Sequence, residues 1–372
     1  MKVLHFYKTY YPDSYGGVEQ VIYQIVEGVS QYGIESNILS LSNQINLTEE
    51  KVGNRYRVRT NFKIASTDFS WHALKKFKEL ALQADVIHYH FPWPFMDVIH
   101  FLSGIKKPTL VTYHSDIVHQ KFLLKFYRPL MRYFLKSVNI IVASSPNYLQ
   151  SSSALLPFKD KVHIIPFGLN SDIRLKLDSQ KKIVWKNRLG DKFFLFVGVH
   201  RYYKGLTYLI EANAKRDLPM VIVGEGPFTD KLKAQANQLG LKNTHFIGKV
   251  SDEDKAILLD LSFAFVFPSH LRSEAFGISL LEAAMFGKPM ISCEIGTGTS
   301  FINLNSKTGI VVPPADVAAL SRALDNLWDN PERAQEMGNN AKDRFEELFQ
   351  ANVMCHSYAK LYKNLLQKSL LN

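Results

Sequence analysis

Two carboxylates frame one helix entry. Glu274 lies just before it and Glu282 eight residues on, with Phe276, Gly277 and Ile278 between them. A helix N-terminus points backbone N–H groups outward and its dipole favours negative charge, so a glycine-opened entry suits an anion. Carboxylates on either side accept hydrogen bonds from hydroxyls. Together they fit a ligand with a pyrophosphate in its middle and hydroxyl-rich rings at both ends, as in a nucleotide-sugar. Solvated helices also carry glutamates at this spacing, so position must distinguish the pair. The strand-like run 263–267 and Pro268 precede Glu274, and Gly287 and Pro289 stop the helix after it. The C-terminal end of a buried strand is where open α/β sheets bind ligands.

Other groups fall at comparable places. Arg201 and Lys204 follow the strand-like run 193–198. A planar guanidinium fork and a point-charge ammonium both suit a diphosphate leaving group; in so basic a chain they also read as surface cations. Gly16 and Gly17 follow the first strand, where glycine lets backbone approach a phosphate or sugar, or simply makes a turn. Their spacing is not the dinucleotide fingerprint. His114 follows the third strand of the first half. It can bond a sugar hydroxyl or a reacting oxygen, or be a satisfied structural histidine. Asp116 beside it can accept from an acceptor hydroxyl. His88 and His90 have no third ligand at sensible spacing and read as strand residues. Asp252 and Asp254 make an Asp-x-Asp, a pattern able to hold a divalent metal. With Ser251 at the N-cap position, acids in a first helical turn account for it. No metal centre is expected.

These groups need a scaffold. At 372 residues the chain exceeds one ordinary core, and two domains are expected. Strand-like runs at 3–7, 85–90, 109–113, 138–143 and 162–166 alternate with helical patterns. So do runs at 193–198, 220–224, 244–248, 263–267 and 290–293. The fold class is α/β, with a parallel sheet in each half. A polar linker is expected over 167–189. Tyr358, Leu361, Tyr362, Leu365 and Leu366 repeat at helical spacing near the C-terminus. Lys121–Ser137 is aromatic, apolar and cationic at once, as in an interfacial membrane helix or a core helix with snorkelling cations; Pro129 should kink or split it.

Composition narrows the partners. Lys and Arg total 45 against 34 acids, a net charge of +11, which points to an anionic partner. No nucleic-acid module is present and the charge is spread rather than clustered. The N-terminus reads as a strand rather than a signal peptide. No apolar run is long enough to span a membrane. Two cysteines, Cys293 and Cys355, lack metal-ligand spacing and suggest a reducing cytoplasm.

With these residues in hand, the whole chain resembles the retaining glycosyltransferases of family four, which have the GT-B fold. The resemblance is carried by Gly16-Gly17, His114, Arg201 and Lys204, the run Gly224-Glu225-Gly226-Pro227, and Glu274 with Glu282. The run 293–300 with Asn303 is similar to bacterial GDP-mannose-dependent mannosyltransferases of lipopolysaccharide O-antigen assembly. The resemblance implies two Rossmann-like domains facing across a cleft: 1–170 for the acceptor, and 171–352 for the nucleotide-sugar. A C-terminal helix, about 353–372, returns to the first.

It also implies roles. Gly17 lies near the donor phosphate, Arg201 and Lys204 neutralise the diphosphate, and the amides around Phe276, Gly277 and Ile278 bind phosphate or sugar. Glu274 bonds the donor sugar, Glu282 the ribose, Lys249 and Val250 the nucleobase region, and His114 the sugar near its reacting face. Relatives carry an arginine directly after the glycine matching Gly198; this chain has Val199, which leaves that role to Arg201.

The expected activity is metal-independent, retaining transfer of mannose from GDP-mannose to a lipid-linked oligosaccharide, with the enzyme peripheral at the cytoplasmic face of the inner membrane. Charge developing on the departing phosphate would be stabilised by cations and helix amides rather than by a metal. Alternatives are a UDP-sugar-using transferase of the same family, a nucleotide-sugar epimerase, and a non-catalytic binder.

Overall fold

The computed structural model describes every residue except 15, 46–48, 65–66, 118–120, 173–176 and 372. Two compact units emerge: Met1–Gly168 with Ala351–Asn372, and Leu169–Gln350.

In the first unit the strands are β1 (Lys2–Phe6), β2 (Glu35–Ser42), β3 (Glu49–Val52), β4 (Arg55–Arg59), β5 (Phe62–Ile64), β6 (Thr67–Phe69), β7 (Val86–Phe91), β8 (Thr109–Tyr113), β9 (Ile140–Ala143) and β10 (Val162–Ile164). Eight form one sheet in the order β10-β9-β8-β7-β1-β2-β4-β3, parallel except at β3. β7 is buried at all six positions and β8 at all five, as a sheet covered on both faces requires. The helix Ala351–Leu371 completes this unit. Its Tyr362 hydroxyl lies 2.6 Å from His88 Nδ1, and its Tyr358 hydroxyl 2.8 Å from Thr112 Oγ1. Cys355 Sγ donates to the carbonyl of Gln24 in the helix Gly17–Val29.

The second unit holds β11 (Phe194–Val197), β12 (Met220–Val223), β13 (Thr244–Gly248), β14 (Ala264–Phe267), β15 (Met290–Cys293) and β16 (Gly309–Val312). Their order, β13-β12-β11-β14-β15-β16, is parallel throughout. Phe194, Phe196, Ile222 and Val266 form its core with Leu209, Leu320 and Leu324 from helices. Strand order reverses between β11 and β14, and such a switch point opens a crevice at the strands' C-terminal ends.

Some expectations need correction. The first sheet also contains β2, β3 and β4, and the second β16, which the strand-like runs did not include. The end of the supposed linker is a helix, Ser179–Leu189, whose N-cap Asp178 accepts from the amides of Gln180 and Lys181. Pro129 does not split its segment: Lys121–Ser137 is one helix. Met131, Phe134 and Leu135 are buried, while Phe126 and Tyr133 are 72% and 62% exposed.

Candidate active site

The crevice of the second unit gathers most of the singled-out residues. The loop after β11 carries Arg201 and the single turn Tyr202–Lys204. Gly205 then adopts φ 69°, and a Cβ there would sit 2.0 Å from the Pro268 carbonyl oxygen. The loops after β11 and β14 therefore touch backbone to backbone. That approach brings Lys204 Nζ to 2.5 Å from Glu274 Oε2. Ser269 Oγ donates to the same carboxylate oxygen at 3.3 Å, and the ammonium lies 4.8 Å from the Phe267 ring centroid. Arg201 is exposed and makes no ion pair among the described residues.

Glu274 precedes the helix Ile278–Met285, whose N-cap Gly277 takes φ 97°. The first N–H groups of a helix have no acceptor within it, so the Gly277 turn presents donors. Phe276 is buried, its ring 6.3 Å from that of Phe349, so the ring belongs to the core. Glu282 is buried on the same helix, and its Oε1 meets Lys255 Nζ at 2.7 Å. Burial opposes the Lys255 charge, but Glu282 and Asp252 outweigh it and hold the ammonium above its ordinary value. Both acids of the pair are thus matched to a lysine, Lys204 at one end and Lys255 at the other. Lys255 has no motif to mark it in the sequence.

Lys249 is exposed and Val250 half-buried, directly after β13. Next to them, Gly224, Glu225, Gly226, Thr229, Lys233, Phe246 and Gly248 line a cavity of about 340 Å³. The Asp-x-Asp residues behave as a cap. Ser251 Oγ accepts from the Asp254 amide, and hydrogen bonds from Ser251 and Trp185 hold the Asp254 carboxyl below its ordinary value. Asp252 Oδ1 lies 3.0 Å from Lys255 Nζ. Ser251→Ala should lower the stability of the second unit by about 1 kcal/mol. A melting midpoint unchanged in calorimetry would count against the cap.

Gly17, His114 and Asp116 belong to the first unit. Gly17 opens the helix Gly17–Val29. Asp116 Oδ1 accepts from the hydroxyls of Tyr113 at 2.9 Å and Ser152 at 2.7 Å. His114 is buried at the end of β8; its Nε2 lies 3.0 Å from His90 Nδ1, and His90 Nε2 lies 3.1 Å from His5 Nδ1. One ligand atom each of His5, His88 and His90 lies within 4.8 Å of the others, as a metal set would require. Yet every ring nitrogen of the three except His5 Nε2 already bonds to another side chain. His5 was not singled out in the sequence.

Comparison with known proteins fits this architecture. The model for glycosyltransferase family 4 matches residues 15–173, and that for glycosyl transferases group 1 matches 179–344. A D-rhamnosyltransferase of Pseudomonas aeruginosa, WbpZ, is 54% identical over 353 residues, covering 94% of this chain and 93% of that one. The chain belongs to glycosyltransferase family 4. O-antigen chain mannosyltransferase C of Escherichia coli is 51% identical over 374 residues, 99% of each chain. Among solved structures, sucrose-phosphate synthase of Thermosynechococcus elongatus superposes with a TM-score of 0.79 at 19% identity, over 99% of each chain. The glycosyltransferase has the GT-B fold: two domains built on parallel sheets, with the C-terminal helix returned to the first. No helix among its described residues is long and apolar enough to cross a membrane.

Proposed function

We propose that this glycosyltransferase moves mannose from GDP-mannose to a lipid-linked glycan in O-antigen assembly, with retention at the anomeric carbon and no metal. The observation that carries the reading is the 51% identity, over 99% of both chains, to an O-antigen chain mannosyltransferase. The site supports it physically. Lys204, paired with Glu274, stands at the switch point near the Gly277 helix entry, with exposed Arg201 in the same loop, where a departing diphosphate gains from cations and amides.

Glu274 turns from Lys204 to the donor sugar's hydroxyls, and the freed ammonium meets the diphosphate. Glu282 holds the ribose, while Lys249 and Val250 border the base. From the family resemblance alone, Gly17 is assigned to the donor phosphate, His114 to the donor sugar and Asp116 to the acceptor hydroxyl. Exposed Arg128, Arg132 and Lys136 share a helix with exposed Phe126 and Tyr133, which suits a peripheral position on an anionic lipid surface.

The 54% identity to a D-rhamnosyltransferase favours a second reading, a rhamnosyl donor. Purified protein, a lipid-linked acceptor and EDTA, offered labelled GDP-mannose, GDP-rhamnose and UDP-glucose in turn, test both. Transfer from GDP-mannose is expected; transfer from GDP-rhamnose alone selects the second reading, and loss of activity in EDTA sinks the metal-free mechanism. Glu282→Gln should raise KM for the donor about tenfold with kcat within about threefold, since a ribose contact is equal in ground and transition states. Steady-state kinetics at varied donor concentration check the split.

A further inference from the structure

In the first unit β5 and β6 form a two-stranded sheet of their own, apart from the eight-stranded one. Their register pairs Phe62 with Phe69, Lys63 with Asp68 and Ile64 with Thr67. Directly opposed residues share a face and successive residues alternate. Phe62, Phe69, Ile64 and Thr67 therefore lie on one face, and Lys63 and Asp68 on the other, with Nζ 3.6 Å from Oδ1. A lone hairpin is marginal in water; this one is braced. The Phe69 ring lies 4.9 Å from that of Phe95 in the helix Pro94–Ser103. Trp93 Nε1 donates to the Asp68 carbonyl, and the Asn61 amide to the Phe69 carbonyl. Beyond the brace, the apolar face stands in water. Ile64 is 60% exposed and Phe62 36%; Trp71, its ring 5.3 Å from that of Phe62, is 72% exposed. These side chains are held in place: the Trp71 amide donates to Asn61 Oδ1 at 2.9 Å, and Phe62 stacks on Phe69 at 9°.

Three large apolar side chains fixed together in water mark an interaction surface, and charge selects what meets it. Residues 59–78 hold five cations, Arg59, Lys63, Lys75, Lys76 and Lys78, and one acid, Asp68, which is buried. Residues 98–158 hold seven more cations, with Asp116 as their one acid. The helix Pro94–Ser103 links the two regions. Its Phe95 meets the hairpin, and its Phe101 ring stacks 4.6 Å from Tyr133 of the helix Lys121–Ser137. Aromatic and aliphatic side chains flanked by cations suit an anionic bilayer: the rings enter the headgroup boundary and the ammonium groups stay with the phosphates. A sugar ring would need hydrogen-bonding groups beside the aromatic face. Here Asn61 gives its oxygen to Trp71, and Lys63 faces Asp68 on the other side of the hairpin.

We propose that the β5–β6 hairpin and Trp71 form a membrane wedge, which seats Phe62, Ile64 and Trp71 in the headgroup boundary of an anionic bilayer. It is a second contact beside the helix Lys121–Ser137, and for the kind of surface met it rests on the lipid-facing reading of that helix. Cations draw the first unit to the bilayer, and the wedge holds it there by burying apolar side chains.

Trp71 reports on its own insertion. Of the four tryptophans Trp93 is enclosed, Trp185 and Trp328 are half-buried, and Trp71 is exposed. Full-length protein is mixed with vesicles of phosphatidylethanolamine and phosphatidylglycerol, or of phosphatidylcholine alone, and its tryptophan emission is recorded. A blue shift with the anionic vesicles is expected, quenched by brominated acyl chains and absent from Trp71→Phe. In cosedimentation, Trp71→Ser and Ile64→Ser should each weaken binding about tenfold, the equivalent of one apolar side chain left in water. Both should keep the wild-type melting midpoint, since neither side chain is buried. No blue shift, or wild-type binding by the folded double variant, overturns the proposal. A shift with mannose oligosaccharides but not with vesicles overturns it in favour of a sugar platform. A shift on concentrating the protein without lipid overturns it in favour of a second copy of the chain. Arg128→Glu with Arg132→Glu keeps the two lipid contacts apart. Binding lost in that variant but kept in the hairpin variant removes the wedge and leaves the helix; the reverse keeps the wedge and removes the helix. Because vesicle binding needs no donor, failure of every nucleotide-sugar to turn over would overturn the proposed transfer and leave this result standing.

Discussion

Lys204→Ala will lower transfer by about two to three orders of magnitude at saturating donor, the usual cost of removing one charge-stabilising donor from a transition state. Negative charge builds on the diphosphate as the anomeric bond stretches, so a cation at the switch point acts more strongly there than in the ground state. Lys204 is well placed for that. Its side chain is 11% exposed, its Nζ lies 2.5 Å from Glu274, and the Gly205–Pro268 contact pins its loop. The substitution also strands the Glu274 carboxylate with Ser269 as its remaining partner shown. A charge left without its mate in a poorly solvated place is destabilising. Damage to folding can be separated from damage to chemistry: Lys204→Ala with Glu274→Ala should be more stable than Lys204→Ala alone, yet no more active. Initial rates and urea unfolding of the three variants measure both. Lys204→Ala within threefold of wild-type kcat would remove Lys204 from the mechanism.

Gly205→Ala should cost the second unit about 3 kcal/mol and most of its activity. Two effects add. At φ 69° an L-residue is strained by roughly 1–2 kcal/mol. The new methyl would also lie 2.0 Å from the Pro268 carbonyl oxygen, and relieving an overpacked contact costs about 1–3 kcal/mol more. Relief must come by parting the two loops, which draws Lys204 from Glu274. Gly240 is the control. Its φ is also 69°, but nothing lies within 4 Å of its absent Cβ. Gly240→Ala should therefore cost only the backbone strain and leave turnover intact. Equal losses in the two variants, by urea titration, would remove the loop contact from the explanation.

Much of this was legible because local pattern and final burial agree. β11, β14 and β15 read as short apolar runs bounded by glycine and proline, and they are buried strands. The helix entry at Gly277 was visible because a strand, a proline and a glycine precede it. β2 and β3 were not visible. Glu35–Ser42 and Glu49–Val52 are polar at many positions; the first becomes a strand by pairing with β1, distant in sequence, and the second by antiparallel pairing with the adjacent β4. Ser179–Leu189 is polar at seven of its eleven positions and buries none of its residues. It is held by the Asp178 cap and by Trp185 Nε1 donating to Asp254, 69 residues away. The pairings of Lys204 with Glu274, and of His5 with His90, span 70 and 85 residues. Residue types hint at such groups, but only sheet order brings them together. Phe276 shows the opposite limit: a motif names it, and the fold spends its ring on packing.

The first unit is interrupted. Residues 169–350 of the chain are inserted before Ala351–Leu371 returns to finish it. On the ribosome, β1 through β10 emerge long before their closing helix has been translated. Until then His88 and Thr112 lack the tyrosine hydroxyls that meet them in the finished protein. The inserted unit owns all of its strands among the described residues, whereas the earlier-made half waits for a helix translated after it.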